Sequence, residues 1–205
     1  MNRTARSKAT RHGFTLIEMI GVLAIIVILA AVLIPRVIES ITDSRVANVV
    51  TSVNTVEAAV IDFLGNPANT LPAANAAFDT ALVTAGSLAS PLVVPQAVIA
   101  GPPVGTDTAG TVAAVQTAAG VTAGTNFNLD GATAAGNIGA GATIVRVVLT
   151  NVPQLYALRI NNAIDGALAA PALGALSNTG RVSYIAAAGG IHPNVFIYVT
   201  HVNAQ

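Results

Sequence analysis

Residues 14–35 read FTLIEMIGVLAIIVILAAVLIP, and between Phe14 and Ile34 the only ionisable side chain is Glu18. Wound as an α-helix, this run extends roughly 30 Å, the hydrocarbon thickness of a bilayer. Leu16, Ile20, Leu23 and Val27 line one face, and Val22, Ile25, Ile26 and Leu29 cover the others. A helix apolar all round needs a fully apolar surround. Lipid supplies one, and other copies of the same helix supply another. Glu18 is the exception: an acid in a lipid-spanning helix costs about 2.5–3.5 kcal/mol on insertion scales, so it calls for a partner or a neutral state. A cleaved secretory signal would end in a small-residue cleavage site, whereas here Pro35-Arg36-Val37-Ile38 follows. A plain uncleaved anchor leaves Glu18 without a purpose.

Working outward towards the N-terminus, residues 1–13 carry Arg3, Arg6, Lys8 and Arg11 and no acid, a charge of +4. The other 192 residues hold five Arg and nine acids, 5 − 9 = −4, and no Lys. A basic head directly before an apolar run sets topology, with the basic side cytoplasmic and everything after Pro35 on the far side. A cut after Gly13 would create an α-amine on Phe14, a cation that the Glu18 carboxylate of a neighbouring copy could neutralise.

The sequence Arg11-His12-Gly13-Phe14-Thr15-Leu16-Ile17-Glu18, followed by the apolar run and Pro35, resembles the type IV pilin and type II secretion pseudopilin superfamily. The resemblance covers residues 11 to about 64. It implies a precursor held in the inner membrane, then cut between Gly13 and Phe14 by a membrane aspartyl prepilin peptidase. That enzyme would also N-methylate Phe14. The mature subunit, 205 − 13 = 192 residues, would pack by its helix into a helical filament with the help of pilus assembly or type II secretion machinery. Such a fibre moves cells, attaches them, takes up DNA or pushes secreted protein. The long mature chain and its neutral exterior favour a major type IV pilin over a secretion pseudopilin, and a minor pilin stands as a further alternative. The rival from another class is a monomeric membrane-anchored binding domain that keeps its N-terminus.

Pro35 removes a backbone hydrogen bond and clashes with the preceding turn, about 3 kcal/mol in a helix interior, and Gly21 adds a weak point of about 1 kcal/mol. Two readings of this helix break stand side by side: a kink at the membrane exit, or a stretch over Val27–Pro35 that melts in a filament. Beyond it, Val46, Val49, Val53, Val56, Val60 and Phe63 form one apolar stripe at alternating spacings of three and four. That spacing also suits a coiled coil, but the stripe is expected to dock on the domain that follows. Leu64-Gly65-Asn66-Pro67 ends the helix.

The expected organisation is therefore a leader at 1–13, an apolar helix half at 14–35 and an amphipathic half at 36–64. An Ala/Gly/Thr-rich variable region follows at 65–142, then an antiparallel β-sheet region at 143–205. Ala73–Leu88 reads as a short helix and Leu92–Ala100 as a strand interrupted by Pro95. Between Gly101 and Ala142, Ala, Gly and Thr make up 27 of 42 residues, which predicts surface loops and short edge strands. Ile144–Val152, Leu155–Ile164, Val182–Ala187 and Val195–Val202 read as strands, the last two joined by a hairpin through Gly189–Asn194. Short connections make the sheet antiparallel. One face covers the Val46–Phe63 stripe, giving an α+β fold.

Composition limits the function. With 53% hydrophobic and 9% charged residues, the chain is neither disordered nor a nucleic-acid coat. Zero Cys excludes disulfides and thiolate chemistry, so the disulfide that closes the C-terminal region of many pilins is excluded here. Arg146, Arg159 and Arg181 are too few for a DNA-binding stripe. None of the G-x-S-x-G, P-loop, dinucleotide or H-E-x-x-H motifs occurs, so no catalytic residue, enzyme activity or cofactor is expected. His12 would leave with the leader. His192 and His201, lacking Cys or nearby acids, make a poor metal site. Asp107, Asp130 and Asp165 are dispersed and are assigned a solvated role rather than a calcium cage.

Overall fold

A computed structural model describes residues 13–71, 78–94, 108–117, 125, 127–129, 138–166, 179–184 and 194–202. The chain divides into two compact units, residues 1–42 and 43–205. Helix α1 (Leu16–Gly65) contributes to both and runs as one assigned helix through Gly21 and Pro35. In the first unit its apolar side chains are bare: Leu16 is 77% exposed and Ile28 66%.

In the second unit α1 behaves in the opposite way. Val46, Val49, Val53, Val56, Val60 and Phe63 are all buried, as the three-and-four spacing requires of one helix face. Asn48, Thr55 and Asp62 stay exposed. The stripe docks inside its own chain, so the coiled-coil alternative does not apply to it. The helix ends at Gly65, where the sequence placed its end, but without a left-handed glycine there; the Asn66 N–H bonds to the Phe63 carbonyl at 3.4 Å. Helix α2 (Phe78–Thr84) falls within the expected Ala73–Leu88 helix but stops at Thr84, residues 85–88 forming a turn and a bend. Its Phe78 meets Phe63 edge to face at 5.3 Å, and Ser87 donates to Asp62 of α1 at 2.7 Å.

The main sheet has the order β3-β4-β6-β5, with β3 (Thr111–Gln116), β4 (Thr143–Leu149), β5 (Val182–Tyr184) and β6 (Val195–Val202) all paired antiparallel. A separate two-stranded ribbon joins β1 (Val93–Val94) to β2 (Thr108–Ala109). Val145 pairs Thr200 while Arg146 pairs Tyr198, so Val199 is an extra residue that bulges β6. Val112, Val145, Val147, Leu149, Val182, Tyr184, Val195 and Ile197 of the sheet share one core with the α1 stripe. The α+β layer arrangement follows directly from these two apolar faces.

Two expectations are corrected. Leu155–Ile164 is not a strand but most of helix α3 (Gln154–Asp165). Ala157, Ile160 and Asn161 are its buried positions, which is helical spacing, and Leu, Ala, Gln and Arg are strong helix formers. Pro153 fits the start, and Gly166 at φ 61° ends the helix with its N–H on the Asn162 carbonyl. The low-complexity stretch supplies an edge strand, β3, as expected, but it is not confined to the surface: Phe127 and Ile138 build a second small core with Ala142 and Ile144. The tip of the Gly189–Asn194 hairpin, and the 95–100 part of the Leu92–Ala100 strand, lie outside the described residues.

Asp165 is the third correction, because it is not a solvated acid. Its two carboxylate oxygens accept the backbone N–H groups of Arg181 (2.8 Å) and Val182 (2.9 Å) at the start of edge strand β5. Gly180 (φ 87°) passes so close that a Cβ there would collide with this carboxyl. On the opposite edge, Asp79 of α2 accepts the Val112 N–H through both oxygens, at 3.1 and 3.0 Å. Each edge strand of the sheet thus has a helix-borne aspartate on its opening N–H groups. Arg181 also reaches Glu57 of α1 at 2.7 Å. Arg159 pairs with Asp43, and Arg146 lies 4.5 Å over the Phe196 ring.

Burial raises the pKa of both Asp79 and Asp165, outweighing the N–H bonds that favour their ionised forms. A carboxyl whose folded pKa lies above its unfolded value contributes stability below the unfolded pKa and loses it as pH rises through the folded one. Their joint contribution therefore grows as pH falls from neutral through the carboxylate range. Asp79→Asn with Asp165→Asn is expected to flatten this part of the stability–pH curve, checked by urea unfolding of the full chain in detergent. A curve of unchanged slope would refute the assignment.

Candidate functional site

The candidate site is the amino end of α1, built on residues 13–18. Gly13 and Phe14 lie just ahead of the helix, Phe14 is 78% exposed, and nothing approaches within 4 Å of the Cβ position at Gly13. The Gly–Phe junction is thus exposed among the described residues. Among the described residues Gly13 and Phe14 make no bond to Glu18, and the helix-break pair, Gly21 and Pro35, lies within the unbroken α1.

Glu18 has a partner that the spacing of charges did not reveal. Its Oε2 accepts the Thr15 backbone N–H at 2.8 Å and the Thr15 hydroxyl at 2.7 Å. The Glu18 N–H leans back on the Thr15 Oγ1 at 3.4 Å. This is a capping box, in which two otherwise orphaned donors of the first turn are satisfied reciprocally. The signal was present as Thr15-Leu16-Ile17-Glu18, an S/T-x-x-E pattern before an apolar run, and Thr15 is the residue that charge counting alone overlooks. Both bonds fall on one oxygen. Oε1 makes no hydrogen bond among the described residues, so the carboxylate can serve its own helix and still accept a second donor. The box survives removal of residues 1–13, since the Thr15 amide persists.

The rest of α1 in the first unit is long and apolar enough to cross a membrane, and none of its most apolar 18-residue window is buried. Residues 8–34 match the family model described as the prokaryotic N-terminal methylation motif. The chain carries a prepilin-type N-terminus. The match supports a type IV pilin-like or pseudopilin precursor and concerns the N-terminal helix, not the domain after it. No curated protein and no solved structure matches the chain at a significant level.

Other polar groups singled out from the sequence are placed elsewhere. His201 on β6 shares a 2.6 Å hydrogen bond with the Tyr198 hydroxyl through Nδ1. No group of three metal-ligating side chains occurs among the described residues. His12, His192, Asp107 and Asp130 lie outside them.

Removing the Thr15 hydroxyl tests the box. Thr15→Val is expected to cost about 1 kcal/mol in the first turn. Amide exchange at Glu18–Ile20 in detergent should then run about fivefold faster, with exchange beyond Asp43 unaltered. Unchanged protection of the first turn would show that the box contributes nothing.

Proposed function

We propose that this protein is the structural subunit of a type IV pilus filament. It is made as a single-pass precursor with residues 1–13 in the cytoplasm, cut between Gly13 and Phe14 by a prepilin peptidase, and N-methylated on Phe14. Residues 14–35 span the inner membrane before assembly and line the filament afterwards, 36–64 form the amphipathic half of the helix, and 65–205 form the exterior. It is a building unit, not an enzyme.

One observation carries this reading: the methylation motif sits on a helix half whose apolar surface the chain leaves entirely uncovered. Lipid covers that surface in the precursor, and like helices cover it in a fibre. Because one surface serves both states, transfer between them needs only a modest net free energy. Glu18 biases the transfer. In lipid its second oxygen faces hydrocarbon, a costly placement. In a fibre it meets the Phe14 α-amine of a neighbouring copy.

Mass spectrometry of the protein from a host with a prepilin peptidase tests the processing. The expected mature chain begins at Phe14 and is one methyl group heavier than the bare sequence. A chain that starts at Met1 or Asn2 favours the membrane-tethered binding domain instead. Glu18→Ala is expected to reach the membrane at wild-type level and to yield few filaments by electron microscopy. Normal filament yield from that variant would remove Glu18 from assembly.

A further inference from the structure

Arg36 and Glu39 lie on α1 between the apolar run and the second unit. Both are exposed, and neither belongs to an ion pair among the described residues. Their order is the unfavourable one for pairing within a helix, where the acid is better placed ahead of the base. Around them Val37 (45%), Ile38 (59%) and Ile41 (46%) are also exposed, past the residues that a bilayer core covers. A helical collar that mixes bare aliphatic side chains with one charge of each sign is complementary to a second copy of itself.

We infer that Arg36 of one copy pairs with Glu39 of the next in the assembled fibre, in the register that also brings Phe14 against Glu18. This rests on the filament reading above. In both pairs the cation precedes the acid, by four residues at the amino end and by three in the collar. Sliding one parallel copy along its neighbour by about 4.5–6 Å, at 1.5 Å per residue, therefore aligns both pairs together and in the same direction. The azimuths agree as well. At about 100° per residue, Glu18 and Glu39 fall within about 60° of each other around the helix, and Phe14 and Arg36 within about 40°. All four groups thus fall within about 60° on one side of the helix, so both pairs can form at a single helix–helix contact. The collar pair fixes the axial stagger far from the amino terminus, where apolar side chains alone would tolerate slippage.

The experiment uses full-length Arg36→Glu and Glu39→Arg, alone, combined in one chain, and expressed together as two chains. Sheared filament yield is measured beside precursor level in the membrane fraction. Each single variant sets like charges against each other, and is expected to keep its precursor level while losing at least about tenfold in filaments. The double variant restores yield. So does co-expression of the two singles, because a chain acidic at both positions can alternate with one basic at both. Rescue in the double variant without rescue by co-expression would mean a pair within one helix and overturns the inference. Loss of Arg36→Glu precursor from membranes, with no rescue in either form, would mean a lipid-headgroup contact and overturns it also. Normal filaments from both singles overturn it while leaving the filament reading intact. No filaments from the wild-type chain, despite processing at Phe14, would overturn the filament reading itself.

Discussion

An α-helix that is apolar on every face cannot be satisfied by the chain that contains it. Between Leu16 and Ile41 no large aliphatic side chain of α1 is buried, and the same helix two turns later buries one face to near zero exposure at Val49 and Val60. At roughly 25 cal/mol per Å², the bare half holds a large unspent association energy that any apolar surround can collect. Specificity cannot come from that energy, which is the same for lipid as for another helix. It has to come from the few polar groups set into the apolar stretch and its margins.

Glu18 is the most telling of these. An ionisable group in hydrocarbon is tolerable only when some of its hydrogen-bonding capacity is met, and the capping box meets part of it through Thr15. The local bonds make the precursor storable in a bilayer. The oxygen they leave over makes a neighbouring donor worth reaching. Had both oxygens been engaged within the first turn, the carboxylate would be a helix cap and nothing more. Had neither been, insertion would carry the full cost of the charge. The division between Oε2 and Oε1 lets one residue cap its own helix and still hold an acceptor for a second donor.

The long helix was legible because its two halves have patterns that nothing else shares: a charge-poor run of bilayer length, then valines at three-and-four spacing. The last strand, Val195–Val202, was equally clear from its β-branched residues. Leu155–Ile164 was misread because its apolar content is strand-like while its period is helical, with Ala157, Ile160 and Ile164 on one side. Counting apolar residues without their period cannot separate the two. Asp165 was misread for a different reason. Its partners are backbone N–H groups at 181 and 182, and backbone donors leave no mark in a sequence. The Thr15–Glu18 bond could have been read from its spacing, but the search for a charged partner looked past a neutral one.

A domain with no cysteine must hold its sheet edges by other means, and those means explain why so few charges suffice. The outer strands β3 and β5 would otherwise present free N–H groups, an invitation to pair with other chains. Proteins packed side by side at high local concentration are especially exposed to that hazard. A scattering of lysines is the usual deterrent, and this chain has none beyond Lys8. Half-buried aspartates on α2 and α3 occupy the opening N–H of each edge instead. They block pairing from inside the fold, where their charge is turned away from neighbours and held by hydrogen bonds. The position of the acids, more than their number, lets so few charges occupy the opening N–H groups of both edge strands.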